Sequence, residues 1–256
     1  MQKGYILEVM KPISEVFNCD CLEYMRGLPD HFFDLAIVDA PYGINATNMK
    51  MGETKGYESS STKSRKGRLN SGAGKLKNRV LNQANCDWDF EPPKTEFFAE
   101  LWRVSKQQII WGGNYYDLPP TRCIICWDKE QPWENFSQVE MAWTSFDKPA
   151  KLFRMGSRGG SVPDMRLYEK FHPTQKPVEL YGYCLTQFAN AGDKIFDPMM
   201  GSQSSRIAAY KMGFDFYGCE IDEFYFQKGC ERFNAVCLGE TKLKDGRALK
   251  QLSIFD

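Results

Sequence analysis

The chain has 256 residues, with 33 Lys and Arg, 33 Asp and Glu, and a formal net charge of zero. Hydrophobic residues make up 42% of it, and no stretch approaches the ~18 uninterrupted apolar residues of a membrane span, so the composition is that of a globular protein and excludes collagen-like, coiled-coil and wholly disordered chains. The amino terminus lacks the apolar stretch and cleavage site of a signal peptide, and nine cysteines in a chain this long fit free thiols, so we expect a cytoplasmic protein without a membrane partner.

The first strong pattern begins at Asp20. Residues 20–26 read as a short helix capped by the Asp20 side chain. The apolar run at residues 33–39 has the length of a strand that is covered on both faces of a parallel sheet, and it ends in the turn Asp39-Ala40-Pro41-Tyr42-Gly43. Because open α/β sheets bind ligands at the carboxyl ends of their strands, this turn is a candidate ligand site.

Residues 44–87 interrupt the pattern with polar, basic sequence that has no apolar period. Within them, residues 48–80 carry nine Lys or Arg and only two acids, so the neutral average hides a basic segment. A long segment without apolar periodicity inside a compact domain is usually functional or disordered. We therefore expect a mobile basic insertion here.

After residue 88, periods typical of helices and of strands alternate. Helical spacing marks residues 94–106, 177–190 and 203–212, and a further helix that would place Phe226, Cys230, Phe233 and Cys237 on one face. Strand-like runs occupy residues 108–113, 122–127, 139–143, 194–197 and 216–220. This alternation predicts an α/β fold with a doubly wound, mostly parallel sheet.

A second candidate ligand loop, residues 197–202, runs from a predicted strand to a predicted helix and contains a single glycine, Gly201. It lacks the three-glycine pattern that lets a backbone approach a pyrophosphate, so an adenosine-bearing ligand without phosphates fits better. Glu220 follows Gly201 by nineteen residues, an offset that suits an acid accepting hydrogen bonds from ribose hydroxyls. On spacing alone, a plain βαβ unit with a surface Glu explains these residues equally well.

Five short motifs stand in a fixed order along the chain: Asp20-Cys21-Leu22, Asp39-Ala-Pro-Tyr-Gly43, His172-Pro-Thr-Gln-Lys-Pro177, Phe196-Asp-Pro-Met-Met-Gly-Ser202 and Gly218-Cys-Glu-Ile-Asp222. The series resembles the β-type DNA amino-methyltransferases that use S-adenosylmethionine, and Trp111-Gly-Gly-Asn-Tyr115 is similar to a segment of phage-type members. The resemblance covers residues 15–43 and 88–237 and implies the class I methyltransferase fold. It implies one discontinuous catalytic domain (1–43 and 88–240), the basic insertion (44–87) and a C-terminal tail (241–256).

The resemblance also implies roles for individual residues. It assigns the catalytic turn to Asp39, Ala40, Pro41 and Tyr42, with Asp39 also next to the cofactor. The other residues implied for S-adenosylmethionine are Asp20 and Cys21 at the adenine edge, Glu220 at the ribose, Asp197, Pro198, Gly201 and Ser202 at the methionine part, and Thr174, Gln175 and Lys176 at its carboxylate. No metal is required. Ala40 departs from the two prolines usual in this turn, which removes rigidity but keeps the backbone carbonyl.

The resemblance implies that the turn acts on an amino group of a nucleobase, and the chemistry of its residues is consistent with this target. An exocyclic amine is a poor nucleophile because its lone pair is delocalised into the ring, and the Asp39 carboxylate and Ala40 carbonyl can accept its N–H bonds and aim the lone pair at a methyl donor. Tyr42 would stack on the base. A base inside a duplex cannot reach such a site, so we expect flipping out of double-stranded DNA.

The expected function is methyl transfer to adenine N6, because the cytosine N4 enzymes of this group more often carry Ser at the position of Asp39. Transfer to cytosine N4 is the nearest alternative. An RNA or protein amide methyltransferase, and a non-catalytic DNA-binding or replication-associated subunit that retains the fold, are further alternatives.

Two segments outside the motifs suggest partners. Lys63, Arg65, Lys66 and Arg68 are candidates for DNA phosphate contacts, with a solvated charged loop as the alternative. The terminal residues Gln251, Leu252, Ile254 and Phe255 resemble the short peptide by which bacterial DNA-processing proteins dock on the sliding clamp, with a segment folded back on the domain as the alternative. The sequence leaves a homodimer open.

Overall fold

The structure is a computed structural model that describes residues 11–44, 91–130, 137–156, 171–172, 174–242 and 247–250. The strands are β1 (Ser14–Phe17), β2 (Phe33–Val38), β3 (Ser105–Trp111), β4 (Ile124–Asp128), β5 (Val139–Thr144), β6 (Lys151–Arg154), β7 (Lys194–Asp197), β8 (Asp215–Cys219), β9 (Glu240–Lys242) and β10 (Ala248–Lys250). The helices are α1 (Cys21–Arg26), α2 (Thr95–Val104), α3 (Val178–Phe188), α4 (Ser204–Lys211) and α5 (Glu223–Phe233). A 3₁₀ turn at Gly113–Tyr115 and a π-helical turn at Asn234–Leu238 follow β3 and α5.

Eight strands form one sheet in the order β1-β8-β7-β2-β3-β5-β4-β6. All neighbours from β1 to β3 are parallel, β5 is antiparallel to β3 and β4, and β6 is parallel to β4. The predicted mostly parallel sheet is thus confirmed. Strands β9 and β10 pair as a separate antiparallel hairpin, which lies largely in the predicted C-terminal tail.

The side chains of β2 show why the sheet is covered on both faces. Leu35 and Ile37 point into one apolar layer, with residues of α3 and α4, and Ala36 and Val38 point into the other, with residues of α1 and α2. Burial on both faces explains why this strand reads as a continuous apolar run. Each fully buried large aliphatic side chain contributes roughly 1.5–3 kcal/mol to folding.

The last helix is present as predicted, but its closest packing runs beside the apolar face that the sequence indicated. The buried residues of α5 are Tyr225, Gly229 and Phe233, whereas Phe226 and Cys230 are only half-buried. Gly229 is the reason, because a Cβ there would lie 2.6 Å from the side chain of Gln203, so the helix packs closely through the residue that lacks a side chain. A pattern of apolar residues does not reveal such a contact.

Because β8, β7, β2 and β3 are parallel neighbours, their carboxyl ends meet at one edge of the sheet. The loops that follow these four strands contain the two ligand loops predicted from the sequence. Among the described helices, none has the length and apolar character needed to span a bilayer.

Candidate active site

Three acids stand at the tips of three adjacent strands. Asp39 follows β2, Asp197 ends β7 and Glu220 follows β8, and these strands are neighbours in the sheet. Burial raises the pKa of Asp197 to about 7, and the nearby charges of Asp39 and Glu220 raise it as well. The two loops predicted from the sequence therefore lie side by side at one site.

The Asp39 carboxylate is held by two donors. Its Oδ1 accepts hydrogen bonds from the Lys176 ammonium at 2.5 Å and from the Tyr42 hydroxyl at 3.0 Å. Burial raises the pKa of Asp39, and the attraction of Lys176 opposes that rise. Burial and the Asp39 charge also raise the pKa of Tyr42 well above its usual value, so its hydroxyl stays protonated and can donate.

Tyr116 braces the turn at the point where Ala40 replaces a proline. Its hydroxyl donates to the Ala40 carbonyl at 2.9 Å and to the Pro41 carbonyl at 3.1 Å. The side chain that fixes the orientation of these carbonyls therefore lies more than seventy residues along the chain. Sequence reasoning missed Tyr116, since it follows the Trp-Gly-Gly-Asn-Tyr segment without belonging to any recognised motif.

The ring of Tyr42 contacts the loop after β3. Gly112 has a left-handed backbone (φ +70°), and a Cβ at this position would lie 2.2 Å from the Tyr42 ring, so only glycine fits. Tyr115 stacks on Tyr42, with ring centroids 4.9 Å apart and planes inclined by 14°. Tyr115 is 44% exposed. It is therefore the member of this aromatic pair that an incoming planar ring can replace.

Lys176 lies at the catalytic turn, although the resemblance placed it at the cofactor carboxylate. Besides its bond to Asp39, its ammonium is 3.7 Å from Glu140 Oε2, and Glu140 Oε1 is 3.3 Å from Lys129. The Lys176 side chain is only 3% exposed. Burial disfavours its charge, but the attraction of Asp39 and Glu140 outweighs burial and raises its pKa. Glu140 on β5 is thus a further acid beside this turn, and the motifs did not reveal it.

The loop after β7 is tied together by its own carboxylate and by Glu220. Asp197 Oδ1 accepts from the Met199 N–H at 3.0 Å, and Oδ2 accepts from the Ser205 hydroxyl at 2.5 Å. Glu220 Oε2 accepts from the Gly201 N–H at 2.7 Å. The predicted loop is thus present as a compact turn, in which Pro198 is also buried.

Gly201 itself has a left-handed backbone (φ +49°), and a Cβ there would lie 2.9 Å from the His172 ring. The segment with Thr174 and Gln175 follows His172 and reaches the same loop. The Lys176 carbonyl accepts from the Ser204 hydroxyl at 2.7 Å, and Ser204 is 3.1 Å from the hydroxyl of Ser202. The structure thus brings these predicted residues together, with Thr174 exposed and Gln175 half-buried.

A cavity of about 220 Å³ opens between the start of α1, the catalytic turn and the loop after β7. Its lining includes Asp20, Cys21, Leu22, Pro41, Glu91, Pro93, Lys94, Glu96, Phe97 and Met199. Asp20 also caps α1, as predicted, by accepting from the N–H groups of residues 22 and 23. Whole-ligand pockets typically measure roughly 300–1,000 Å³, so this cavity suits one ring system of a larger ligand.

Some predicted residues lie outside the described part of the chain. These are the basic set Lys63, Arg65, Lys66 and Arg68, and the terminal set Gln251, Leu252, Ile254 and Phe255. Within the described ranges, no group of three or more metal-ligating side chains comes together.

Comparison with known proteins identifies the family of the chain. The profile of the family N6_N4_Mtase, described as DNA methylase, matches residues 75–231. That match covers more than half of the chain. The chain therefore belongs to the N6_N4_Mtase family of DNA methylases.

Individual relatives are distant. The chain is 22% identical to the type II methyltransferase M2.DpnII of Streptococcus pneumoniae over 157 residues, which are 61% of this chain and 52% of that protein. It is 21% identical to the type II methyltransferase M.HinfI of Haemophilus influenzae, over 88% of this chain and 69% of that one. The chain thus spans about half the length of the first relative and about two thirds of the second.

Two solved structures share the fold. The complex of M1.HpyAVI with S-adenosylmethionine superposes with a TM-score of 0.50 at 18% identity, over 86% of this chain and 98% of that one. The cytosine-N4-specific PvuII DNA methyltransferase also gives a TM-score of 0.50, at 14% identity, over 90% and 96% of the two chains. The fold is therefore the Rossmann-like α/β fold of the class I methyltransferases, as the resemblance implied.

Proposed function

We propose that the protein is a site-specific DNA methyltransferase that transfers a methyl group from S-adenosylmethionine to N6 of a flipped adenine. Membership of a DNA methylase family supports this class of reaction. The observation that carries the proposal is the placement of the Asp39 carboxylate directly beside the loop of Asp197 and Glu220, on neighbouring strand tips. One group for the acceptor amine and two groups for the donor then share a single site.

The described residues fit an adenosyl ligand. The cavity at Asp20 and Cys21 has room for one ring system, and the Asp20 carboxylate can accept hydrogen bonds from a purine amine. Burial, and secondarily the Asp20 charge, raise the pKa of the Cys21 thiol to about 12, so it stays neutral. Glu220 would hold the ribose, and the loop at residues 197–202 together with Thr174, Gln175 and the backbone of Lys176 would hold the methionine part.

When bound, S-adenosylmethionine supplies an electrophilic methyl group on its sulfonium. Asp39 accepts one N–H of the target amine and the Ala40 carbonyl accepts the other, so the nitrogen lone pair is directed at the methyl group. Asp39 is also placed to take the proton that the nitrogen loses after it is alkylated. Tyr42 holds the plane of the base, which takes the place of the Tyr115 ring on it.

The proposal also specifies which base is methylated, adenine at N6 rather than cytosine at N4. An aspartate at position 39 favours adenine by resemblance, whereas one structure that shares the fold is a cytosine-N4-specific enzyme. Asp39 and the Ala40 carbonyl suit either amine equally, because both are exocyclic amines conjugated to a ring.

The deciding experiment incubates the full chain with methyl-labelled S-adenosylmethionine and unmethylated genomic DNA, digests the DNA to nucleosides and separates them. We expect label in N6-methyladenine, and long-read sequencing of the same DNA then gives the sequence context. Label in N4-methylcytosine would reject adenine but keep the class. Cofactor binding without label in any DNA would support the non-catalytic alternative.

We further propose, from the sequence, that Lys63, Arg65, Lys66 and Arg68 bind DNA phosphates. Changing all four to Ala should weaken DNA binding and reduce the slope of log K against log salt by about 0.9 for each phosphate that the variant no longer neutralises. An unchanged slope would reject this assignment.

The terminal residues Gln251, Leu252, Ile254 and Phe255 are proposed to bind the sliding clamp. Deleting residues 251–256 leaves Lys250 in its pairing with Glu240 of the hairpin. The shortened chain should lose clamp binding in a pull-down and keep its activity on short DNA. Equal clamp binding by the full and shortened chains would contradict the proposal.

A further inference from the structure

Glu140 is a half-buried acid that none of the roles above uses. It lies on β5 and faces two lysines: Lys129 at 3.3 Å and Lys176 at 3.7 Å. Lys176 in turn contacts Asp39 at 2.5 Å. The four groups therefore form a row of alternating charges, Asp39–Lys176–Glu140–Lys129, that runs from the catalytic turn to β5 and the end of β4.

The row contains as many acids as bases, but Lys176 is shared unequally between its two acids. Its ammonium donates to Asp39 at 2.5 Å and to the Tyr42 hydroxyl at 3.1 Å, and it forms an ion pair with Glu140 at 3.7 Å. With its side chain only 3% exposed, Lys176 has little water to satisfy its other protons. A carboxylate that is paired alone with a buried ammonium is strongly neutralised, so Glu140 sets how much of the ammonium charge Asp39 receives.

Other groups around Asp39 also raise or lower its pKa. Tyr42 donates to it from the same turn, Tyr181 of α3 lies in its field, and Asp197 stands on the adjacent strand. Burial raises the pKa of Asp39, Lys176 and Tyr42 lower it, and Glu140 raises it. For Glu140, burial opposes ionisation, but Lys176 and Lys129 outweigh it and lower its pKa, so Glu140 is the ionised member of the row that repels charge on Asp39.

We propose that Glu140 is a positioning residue for the methyl transfer proposed above. By taking part of the Lys176 charge, it leaves Asp39 ionised but incompletely neutralised, so that the Asp39 carboxylate keeps its strength as an acceptor for the target amine. The idea rests on the proposed function for its meaning in catalysis. The electrostatic coupling that underlies it is a property of the free protein and can be measured without turnover.

The first test follows the ionisation of Asp39 in the full chain by ¹³C NMR of aspartate labelled at the carboxyl carbon, with the signal assigned from its loss in Asp39→Asn. In Glu140→Gln the titration midpoint of Asp39 should move to lower pH, because repulsion from Glu140 is removed and Lys176 binds Asp39 alone. In Lys129→Gln the midpoint should move to higher pH, since Glu140 then draws more strongly on Lys176. Midpoints that stay unchanged in both variants, or that move the other way, would overturn the proposal.

The second test separates positioning from folding. Glu140→Gln should lower kcat for methyl transfer about tenfold, move the acid limb of the rate profile to lower pH, and leave the Kd for the cofactor within about twofold. Glu100→Gln is the matched control, because Glu100 has a similar exposure (24% against 22%) and also pairs with a base, Arg103, but lies on α2 away from the turn. An unchanged kcat in Glu140→Gln would overturn the proposal.

A return of kcat toward the wild-type value in Glu140→Asp would support a role for the charge rather than for packing. If wild-type protein methylates no DNA, the proposed function fails, whereas the NMR midpoints still decide whether Glu140 controls Asp39.

Discussion

Asp39 and Asp197 are buried carboxylates on adjacent strands, yet the protein stabilises them in different ways. Asp197 accepts from uncharged groups close in the chain, the Met199 N–H two residues on and the Ser205 hydroxyl eight residues on. Asp39 instead accepts from a cation, Lys176, that lies 137 residues further along the chain. The loop after β7 is thus assembled from one βαβ unit, whereas the catalytic turn is assembled from distant segments.

The difference has consequences for charge. Without a cation of its own, Asp197 is governed by burial, which raises its pKa to about 7. At Asp39, burial acts in the same direction but is opposed by Lys176. Asp39 therefore has a cation in contact that favours its charged form, whereas the donors to Asp197 are uncharged. Substitutions far away in the chain should disturb the first site and spare the second.

The largest effect is expected for Asp39→Ala. Methyl incorporation should fall by about 10²–10³-fold or more, because the group aimed at the reacting amine is removed. Cofactor binding, measured by calorimetry, should change little, since Glu220 and the loop at Asp197 are intact. Asp34→Ala is the control, because Asp34 stands at the other end of β2, bonded to Lys106 and to the Lys194 N–H. Full activity in Asp39→Ala would refute the assigned role.

Lys176→Met should mainly affect stability. Removing one partner of a buried ion pair costs about 3–5 kcal/mol, because the other charge is left uncompensated. Without Lys176 the pKa of Asp39 rises, so protonation at low pH relieves the penalty and the decrease in Tm relative to wild type should shrink as pH falls. Lys106→Met removes the exposed partner of Asp34 and should change Tm far less. A Tm decrease that is independent of pH would argue against an ionised Asp39.

The loop after β7 is held by residues of its own strand–loop–helix–strand unit, and its position could be predicted from the sequence. Asp197, Gly201 and Glu220 could be placed from one strand–loop–helix–strand pattern, because Asp197 bonds Met199 and Glu220 bonds Gly201 within that unit. The order of the motifs then placed Asp39 on the adjacent strand tip. The direction in which Lys176 points was not predictable, since its backbone lies by the cofactor loop and its ammonium reaches the catalytic turn.

Two distant residues near the catalytic turn, Tyr116 and Glu140, were not predicted from the sequence. The register that brings β5 beside β3 and β4 is set by pairing between far segments, which local patterns do not encode. One signal for Glu140 was present, however. Glu140, Ala142 and Thr144 occupy alternate positions of β5, and the last two are fully buried. An acid on the buried face of a strand needs a cation, and that requirement points to a lysine from elsewhere in the chain.

Asp197→Asn tests the other side of the comparison. The folded pKa of Asp197, about 7, lies above its usual value of 3.8. The stabilising contribution of its proton is therefore complete below that usual value and is lost as pH rises through about 7. The amide cannot ionise, so the variant should gain Tm relative to wild type at pH 8 and show a smaller difference near pH 4. An equal Tm difference at both pH values would mean that Asp197 ionises normally.

The smallest effect on activity is expected from removing the hydroxyl of Tyr116, which donates to the carbonyls of the catalytic turn. Tyr116→Phe removes the hydroxyl that donates to the Ala40 and Pro41 carbonyls, which costs about 0.5–1.5 kcal/mol per hydrogen bond and so predicts a several-fold fall in kcat. Ala40→Pro restores the second proline that related turns carry, and its fixed φ should reduce the cost of Tyr116→Phe when the two changes are combined. Tyr210→Phe, on α4 beside Phe233, controls for removal of a hydroxyl elsewhere. Strictly additive effects of Ala40→Pro and Tyr116→Phe would show that the tyrosine does not substitute for the proline in fixing the turn.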